Sequence, residues 1–480
     1  MKRKHAWTVL GLVAKIAITA LVIAIPLLGI WTASSLAAFG GGSTGWAIGV
    51  GLIAFPVLPL LWDGIAQWRR EKDAPRILKA WDRLVLRTFV VNLVFLGALL
   101  SFGPQALFTA LSTRGDWMLD GREGETIASV RGALLETADG LEWLYDSFDE
   151  GNEFAELIED DASGLPDSAP DSAPDPEPDS DADPAPDPDG RSWPFDDTPH
   201  AALASMPESE KVDLHRAARW LAAQESDPIG RAKLVHDFIA LRVAYDAPSY
   251  VAGSYPPQDA ETVFRTRLSV CAGYANLFHA MAQDAGLESR VVVGDTRKPD
   301  GNISGEGHAW NAVRIDSKWY LVDVTWDAGY VNGSEYTARY QTEYFMAPPE
   351  IFGLDHLPDE PQWQLRAQPI GRGEFTRQPL LDPGFFKHGF ELIEPDRSQV
   401  TVQGRSVRLR VGNPQRHFML ANVKSKEGGD ERRCTVSSGA TIVIDCPLAA
   451  PGVYQVTLFG SDQQYGQSYW SVGGLEAVAR

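Results

Sequence analysis

Three short stretches hold residue types that could do chemistry together. "SVCAGYANLF" (269–278) carries an isolated cysteine, Cys271, at the head of a helical pattern, "GHAWN" (307–311) carries His308, and "LVDVTWD" (321–327) carries Asp323. A cysteine attacks carbon as the thiolate, and the unpaired N–H groups and positive dipole end in the first turn of a helix favour that form. A histidine in reach can take the thiol proton and return it to a leaving group, while a carboxylate fixes the imidazole and stabilises its charged state. The helix-start amides near Cys271 could stabilise an oxyanion. Alone, Cys271 would read as a packing residue; it needs the base.

The elements that must position this trio are legible from periodicity. In "SVCAGYANLFHAMAQDAGL", Val270, Tyr274, Leu277, Phe278, Met281 and Ala285 share one helical face, with Ser269 placed to cap the start and Gly286 to end it. "RVVVGD" (290–295) reads as a buried strand, and residues 307–327 read as two strands joined at Asp316 and Ser317. An even-length turn there sets His308 opposite Thr325 and Trp310 opposite Asp323. His308 and Asp323 are then diagonal neighbours on one face, about 7–8 Å apart at Cα. A three-residue turn would throw them onto opposite faces. Upstream, "SEKVDLHRAARWLAAQ" and "DPIGRAKLVHDFIALRVAYD" are helical, the second with Asp227 as N-cap and Pro228 at the first position.

These motifs, in this order and at these distances, resemble the transglutaminase-like superfamily, a papain-like α+β fold with a Cys-His-Asp triad. The resemblance implies Cys271 as nucleophile, His308 as base and Asp323 as the orienting acid. It covers roughly 205–335, and the next piece, "TEYFMAPPEIFGLDHLPDEPQWQL" (342–365), is similar to the segment that trails this core in the kyphoscoliosis-peptidase branch. That branch implies cysteine-peptidase or transglutaminase-like acyl transfer, with no cofactor. Trp310, Trp326, Tyr274 and Tyr245 are candidates to wall the cleft, although core packing suits each of them too. No H-E-x-x-H or paired Cys/His spacing suggests a metal.

The rest of the chain sets the location. Residues 1–112 are expected to form a membrane region: no charged side chain occurs from Ile16 to Trp62, "GGGSTG" divides that run into spans near 14–38 and 46–62, and Thr88 to Ala110 is a third apolar run. The first run is longer than a signal-peptide core, and two more come after it. Lys2, Arg3 and Lys4, and the cluster from Arg69 to Arg87, mark cytoplasmic sides, which sends everything after the third span outside. The expected setting is therefore a multi-pass plasma (inner) membrane protein with a cytoplasmic N-terminus and an extracytoplasmic catalytic domain.

The net charge of -21 is mostly local. Residues 132–190 contain twenty Asp or Glu and no Lys or Arg. Residues 113–160 keep helical spacing, with Val130, Leu134, Leu135, Leu141, Leu144 and Tyr145 as a possible apolar stripe. Residues 161–192 are a Pro-Asp-rich linker that cannot bury a core. A catalytic domain is expected over 205–366 and an all-β sandwich over 371–480, where six short alternating segments recur. Cys434 and Cys446 flank its "TIVID" strand and could form a disulfide, leaving Cys271 free; two reduced core cysteines are the alternative. Asn302 and Asn332 lie in N-x-S sequons.

The expected partners are the lipid bilayer and a protein or peptide substrate in the cell envelope. The acidic outer region argues against nucleic acid. Two function classes fit: a membrane-anchored enzyme working through a thioester on Cys271, or a non-catalytic envelope binding protein with the same fold.

Overall fold

The computed structural model describes residues 2–42, 44–69, 78–122, 124–148, 151–159, 192–297, 306–402, 404–463 and 469–479. The Pro-Asp-rich linker, save its last residue, and the Asn302 sequon lie outside them. Asn332 is exposed on the strand Gly329–Asn332.

At the N-terminus, α1 (Lys2–Phe39), α2 (Ala80–Phe102) and α3 (Pro104–Arg114) match the apolar runs only in part. Two stretches among the described residues, Ala20–Phe39 and Ala80–Ser101, are long and apolar enough to cross a bilayer. Near the expected second span, a π-helical turn at Ile53–Val57 separates Thr44–Leu52 from Leu58–Trp68. Pro56 lies in that turn, where a missing N–H and a ring clash break the regular ladder. The expected third span, Thr88–Ala110, is not one helix. Gly103 and Pro104 break it, and α3 turns into the protein, burying Leu107, Phe108, Ala110 and Leu111. Its helix instead begins at Ala80 and includes Arg83 and Arg87, both paired with Asp63.

The acidic segment forms helices Glu125–Asp139 and Glu142–Asp146, but its apolar stripe holds at one end only: Tyr145 is buried and Val130 is exposed. Charge does more to hold it. Arg377 donates to both Asp139 oxygens at 2.9 and 2.8 Å, and the Arg372 N–H donates to Glu142 at 2.7 Å.

The core of interest starts with α4 (Leu214–Gln224), capped by Asp213, and α5 (Pro228–Ala240), capped by Asp227 with Pro228 at its first position. It extends back to Trp193 and Phe195, which pack against these helices. The helix α6 (Cys271–Asp284) is buried along nearly its whole length, including every residue of the expected apolar face within it. A four-stranded antiparallel sheet packs on it: β1 (Glu288–Thr296), β2 (Glu306–Ile315), β3 (Lys318–Val322) and, after the short α7 (Val324–Ala328), β4 (His356–Pro358). The strand order is β3-β2-β1-β4. Asn311 fastens sheet to helix by donating to the Ala275 carbonyl at 3.0 Å.

The β2–β3 turn contains two residues, as Ile315 pairs with Lys318, and Asn311 pairs with Val322 at the far end. Asp316 and Ser317 have φ of 48° and 67°, the signature of a tight hairpin turn that matches strand twist. The ladder stops one residue before Asp323. Thr325 is therefore not a strand residue opposite His308 but part of α7, because the Asp323 side chain caps a helix there.

The C-terminal region is strand-rich, with two sheets. One contains Gln399–Val402, Trp470–Ala479, Gly452–Ser461 and Phe418–Ser425; the other contains Glu391–Glu394, Ser406–Gly412 and Thr441–Pro447. Val407, Leu409, Ile442 and Ile444 of one sheet share a core with Met419, Val423, Val456 and Leu475 of the other. Cys434 and Cys446 are joined by a disulfide within it, and Cys271 is free. The buried Arg297 joins this region to the domain. It stacks on Phe375 and donates to the carbonyls of Leu354, Thr376 and Gln378.

The turn supplies a test of register. Ser317 carries a Cβ at positive φ, so Ser317→Gly should stabilise the protein by about 1 kcal/mol and Ser317→Val should destabilise it. Thermal unfolding of the three proteins would check the order.

Candidate active site

Cys271 is the first residue of α6. The expected Ser269 cap is absent: Val270 is the N-cap residue, and no side chain caps the helix. Gln258 holds the turn instead. Its Oε1 accepts from the Val270 N–H at 3.1 Å and from the Ser269 hydroxyl at 2.8 Å. At the other end Gly286 adopts φ 77° just past the helix, as a stop residue should.

The Cys271 side chain is 1% exposed. Burial pushes the thiol well above its usual range; the backbone N–H of Ala309 opposes this, the Asp323 charge adds to it, the N–H of Ala272 opposes it, and Glu153 adds to it. Ala309 comes directly after His308 on β2, so the same short stretch that carries the base also places an amide at the sulfur.

The base and acid meet as the register required. His308 Nε2 donates to Asp323 Oδ2 at 2.8 Å, which leaves Nδ1 as the ring nitrogen able to accept a proton. The other oxygen, Asp323 Oδ1, accepts from the N–H groups of Thr325 at 2.8 Å and Trp326 at 3.2 Å. Burial by itself would raise the Asp323 pKa. The charge and hydrogen bond of His308, then those of His356, hold it below the carboxylate range instead.

His356 was not singled out by the sequence. Fully buried on β4, it donates from Nε2 to Asp323 Oδ2 at 3.3 Å and from Nδ1 to Asp355 Oδ1 at 2.6 Å. Asp355 also accepts from the Tyr344 hydroxyl at 2.6 Å. Burial would lower the His356 pKa, but Asp355 and Asp323 raise it overall, and the ring bridges the two carboxylates. The result is a buried chain, His308–Asp323–His356–Asp355–Tyr344. His308, Asp323 and His356 are also of metal-binding types, with donor atoms within 4.8 Å of one another. Hydrogen bonds from both imidazoles to Asp323 Oδ2 join the three.

A second buried histidine shared by two carboxylates sits behind α7. His236 bonds Asp237 and Asp327, each at 3.0 Å. Burial opposes its charge, yet the two carboxylates raise its pKa to about 9. Asp327 also accepts from the Tyr344 N–H, so this pair fixes α7, whose first turn holds Asp323.

The four aromatic candidates divide. Trp326 packs on His308 and His356 with centroids at 5.5 and 4.7 Å, and it also lines a cleft of about 860 Å³ bordered by Arg339 and Trp470. Trp310 is buried beside His308. Tyr245 lies near Cys271, on a two-residue strand paired with Leu268–Ser269. Tyr274 packs in the main core, with its hydroxyl donating to the Val243 carbonyl at 2.6 Å. Covering Cys271 is a residue from far upstream, Phe154, which is 0% exposed.

Residues 215–324 match the sequence model of the transglutaminase-like superfamily. The chain carries a transglutaminase-like domain. Kyphoscoliosis peptidase of Mus musculus is 28% identical over 267 residues, 50% of this chain and 40% of that protein. A LIM and transglutaminase domain protein of Caenorhabditis elegans is 28% identical over 138 residues, 25% of this chain and 19% of that one. A crystal structure of a TGase aligns over 28% of this chain and 36% of its own at 23% identity, with a TM-score of 0.21. The chain thus spans 40% of the length of the kyphoscoliosis peptidases it matches. The family match takes in Cys271, His308 and Asp323 and ends before His356 and Asp355. Those last two lie in the segment beyond the matched residues.

Two measurements probe the buried charges. His356→Phe removes the donor to Asp323 Oδ2 and Asp355 Oδ1 and leaves two buried carboxylates short of a partner, so it should destabilise the protein by about 3 kcal/mol, readable as a lower melting midpoint. For His236, a folded pKa of about 9 against 6.5 means stabilisation that is full below about 6.5 and lost as pH rises through about 9, about 3 kcal/mol in all. The melting midpoint should fall between pH 7 and 10, and His236→Gln should flatten that fall.

Proposed function

We propose that the protein is a membrane-anchored cysteine enzyme that transfers acyl groups from protein or peptide amides through a thioester on Cys271. The observation that carries this reading is the His308–Asp323 hydrogen bond next to the Ala309 amide at the Cys271 sulfur. The thiol proton passes to His308 Nδ1 as sulfur bonds the carbonyl carbon. As the tetrahedral intermediate collapses, that proton leaves with the amine and the thioester remains. Water then gives a carboxylic acid, and an amine gives a new amide. Asp323 keeps the imidazole in the tautomer and orientation this needs.

The proposed setting has a cytoplasmic N-terminus and a catalytic domain outside the membrane. Support comes from the Lys and Arg flanking the apolar runs and from the Cys434–Cys446 disulfide, which belongs in an oxidising compartment. The substrate is then a protein or peptide of the cell envelope. A second reading, a non-catalytic envelope binding protein, draws its support from the burial of Cys271.

The test is mass spectrometry of envelope proteins incubated with the detergent-solubilised chain and with Cys271→Ala. New termini that depend on Cys271 mean hydrolysis, and new isopeptide links mean transamidation. Asp323→Asn should retain the fold and lose roughly 10³–10⁴-fold of the rate. Bound protein without new bonds, unchanged in Cys271→Ala, would establish the second reading.

A further inference from the structure

Residues 151–159, "GNEFAELIE", lie far from Cys271 in sequence and directly on it in space. Phe154 belongs to the same buried cluster as Cys271, Val270 and Ala309, and it packs against the rings of Tyr255 and Tyr250, with centroids at 5.4 and 6.5 Å. The polar contacts on either side have the pattern of a bound peptide. At one end Asn152 Nδ2 donates to the carbonyls of Gly294 on β1 and His308 on β2, at 2.6 and 3.1 Å. At the other end Asn276 of α6 reads the segment's main chain: its Nδ2 donates to the Leu157 carbonyl at 2.8 Å, and its Oδ1 accepts from the Glu159 N–H at 3.3 Å. Between them, the Tyr255 hydroxyl donates to Glu153 at 2.7 Å.

Two features distinguish this from ordinary core packing. Asn276, held by a bond from its Nδ2 to the Gln258 carbonyl at 3.0 Å, gives its other two side-chain bonds to another segment's backbone, the means by which a site holds a peptide without regard to sequence. The groove also continues past the segment, as a cavity of about 190 Å³ bordered by Gly151, Asn152, Glu306 and Asp359.

We propose that residues 151–159 occupy the substrate cleft of the transglutaminase-like domain as an internal pseudosubstrate, and that the cleft is a peptide site with an aromatic pocket at the position of Phe154. It rests on the reading of Cys271 as the reactive centre. The preferred substrate is a peptide whose Phe, Tyr or Trp enters the pocket formed by Tyr250, Tyr255 and Val270 and whose following residues turn, as Ala155–Leu157 do in a single 3-10 turn, so that the backbone meets Asn276. In the resting chain the segment withholds the nucleophile from solvent, and the Glu153 carboxylate near the sulfur further disfavours the thiolate.

Iodoacetamide labelling of Cys271 in the intact, solubilised protein, with peptide mass spectrometry as the readout, tests this without needing a substrate. Phe154→Asp should raise the labelling rate at least tenfold at an unchanged melting midpoint. A synthetic peptide of residues 151–159 should restore protection, whereas the same peptide with Phe154→Ala should not. An unchanged rate, or protection by both peptides alike, overturns the proposal. If Phe154→Asp loses its cooperative melt, Asn152→Ala decides, since it keeps Phe154 and removes the bonds to Gly294 and His308 together with the one that Asn152 Oδ1 accepts from the Phe154 N–H: a several-fold faster labelling supports the pseudosubstrate, and an unaltered rate overturns it. Labelling also separates the two readings. A Cys271 that the variant exposes and the peptide protects, with no new termini or isopeptide links, keeps the cleft and removes the enzyme.

Discussion

The site depends on one carboxylate. Asp323 accepts two N–H groups at the start of α7 and two imidazoles from β2 and β4, so a helix, two strands and the candidate base are all referred to the same two oxygens. A buried charge is tolerated only when it is paired and hydrogen-bonded. Here the pairing is also what ends β3. The chain leaves the ladder at Val322 because the next side chain is used to cap a helix and hold a histidine, so one residue serves both the end of the strand and the candidate site.

Around that point the domain keeps its buried ionisable groups in alternating sign. His356 lies between Asp323 and Asp355, and His236 lies between Asp237 and Asp327. Each imidazole is shared by two carboxylates, and each arrangement reaches Tyr344, through its hydroxyl in one case and its N–H in the other. The two meet at one residue of the segment between α7 and β4. The position of α7, and with it Asp323, is therefore fixed from both sides.

How much the sequence disclosed depended on the range of the interactions. The Cys-His-Asp relation was legible because His308 and Asp323 flank a two-residue turn, and strand parity then decides which side chains share a face. His356 was not legible: it meets Asp323 across 33 residues, and the Asp355-His356 dipeptide carries no period. The cap of α6 was misread for a similar reason, since Gln258 does the work from twelve residues upstream of Val270. The third apolar run was read as one span because hydropathy does not register that Gly103 and Pro104 end a helix. Phe154 sits in a stretch whose acidity spoke for solvation, and its place at Cys271 depends on contacts that no local pattern contains.

Arg297 bears on where the protein can be divided. Arg297 directly follows β1 of the four-stranded sheet, yet Thr376 and Gln378, two of the carbonyls that satisfy it, come from the approach to the strand-rich region. A chain cut between the two regions would take away those acceptors and the Phe375 ring together, opening to water a junction that the intact protein keeps dry. The two regions are distinct in architecture, and part of the seam between them is built around a buried arginine.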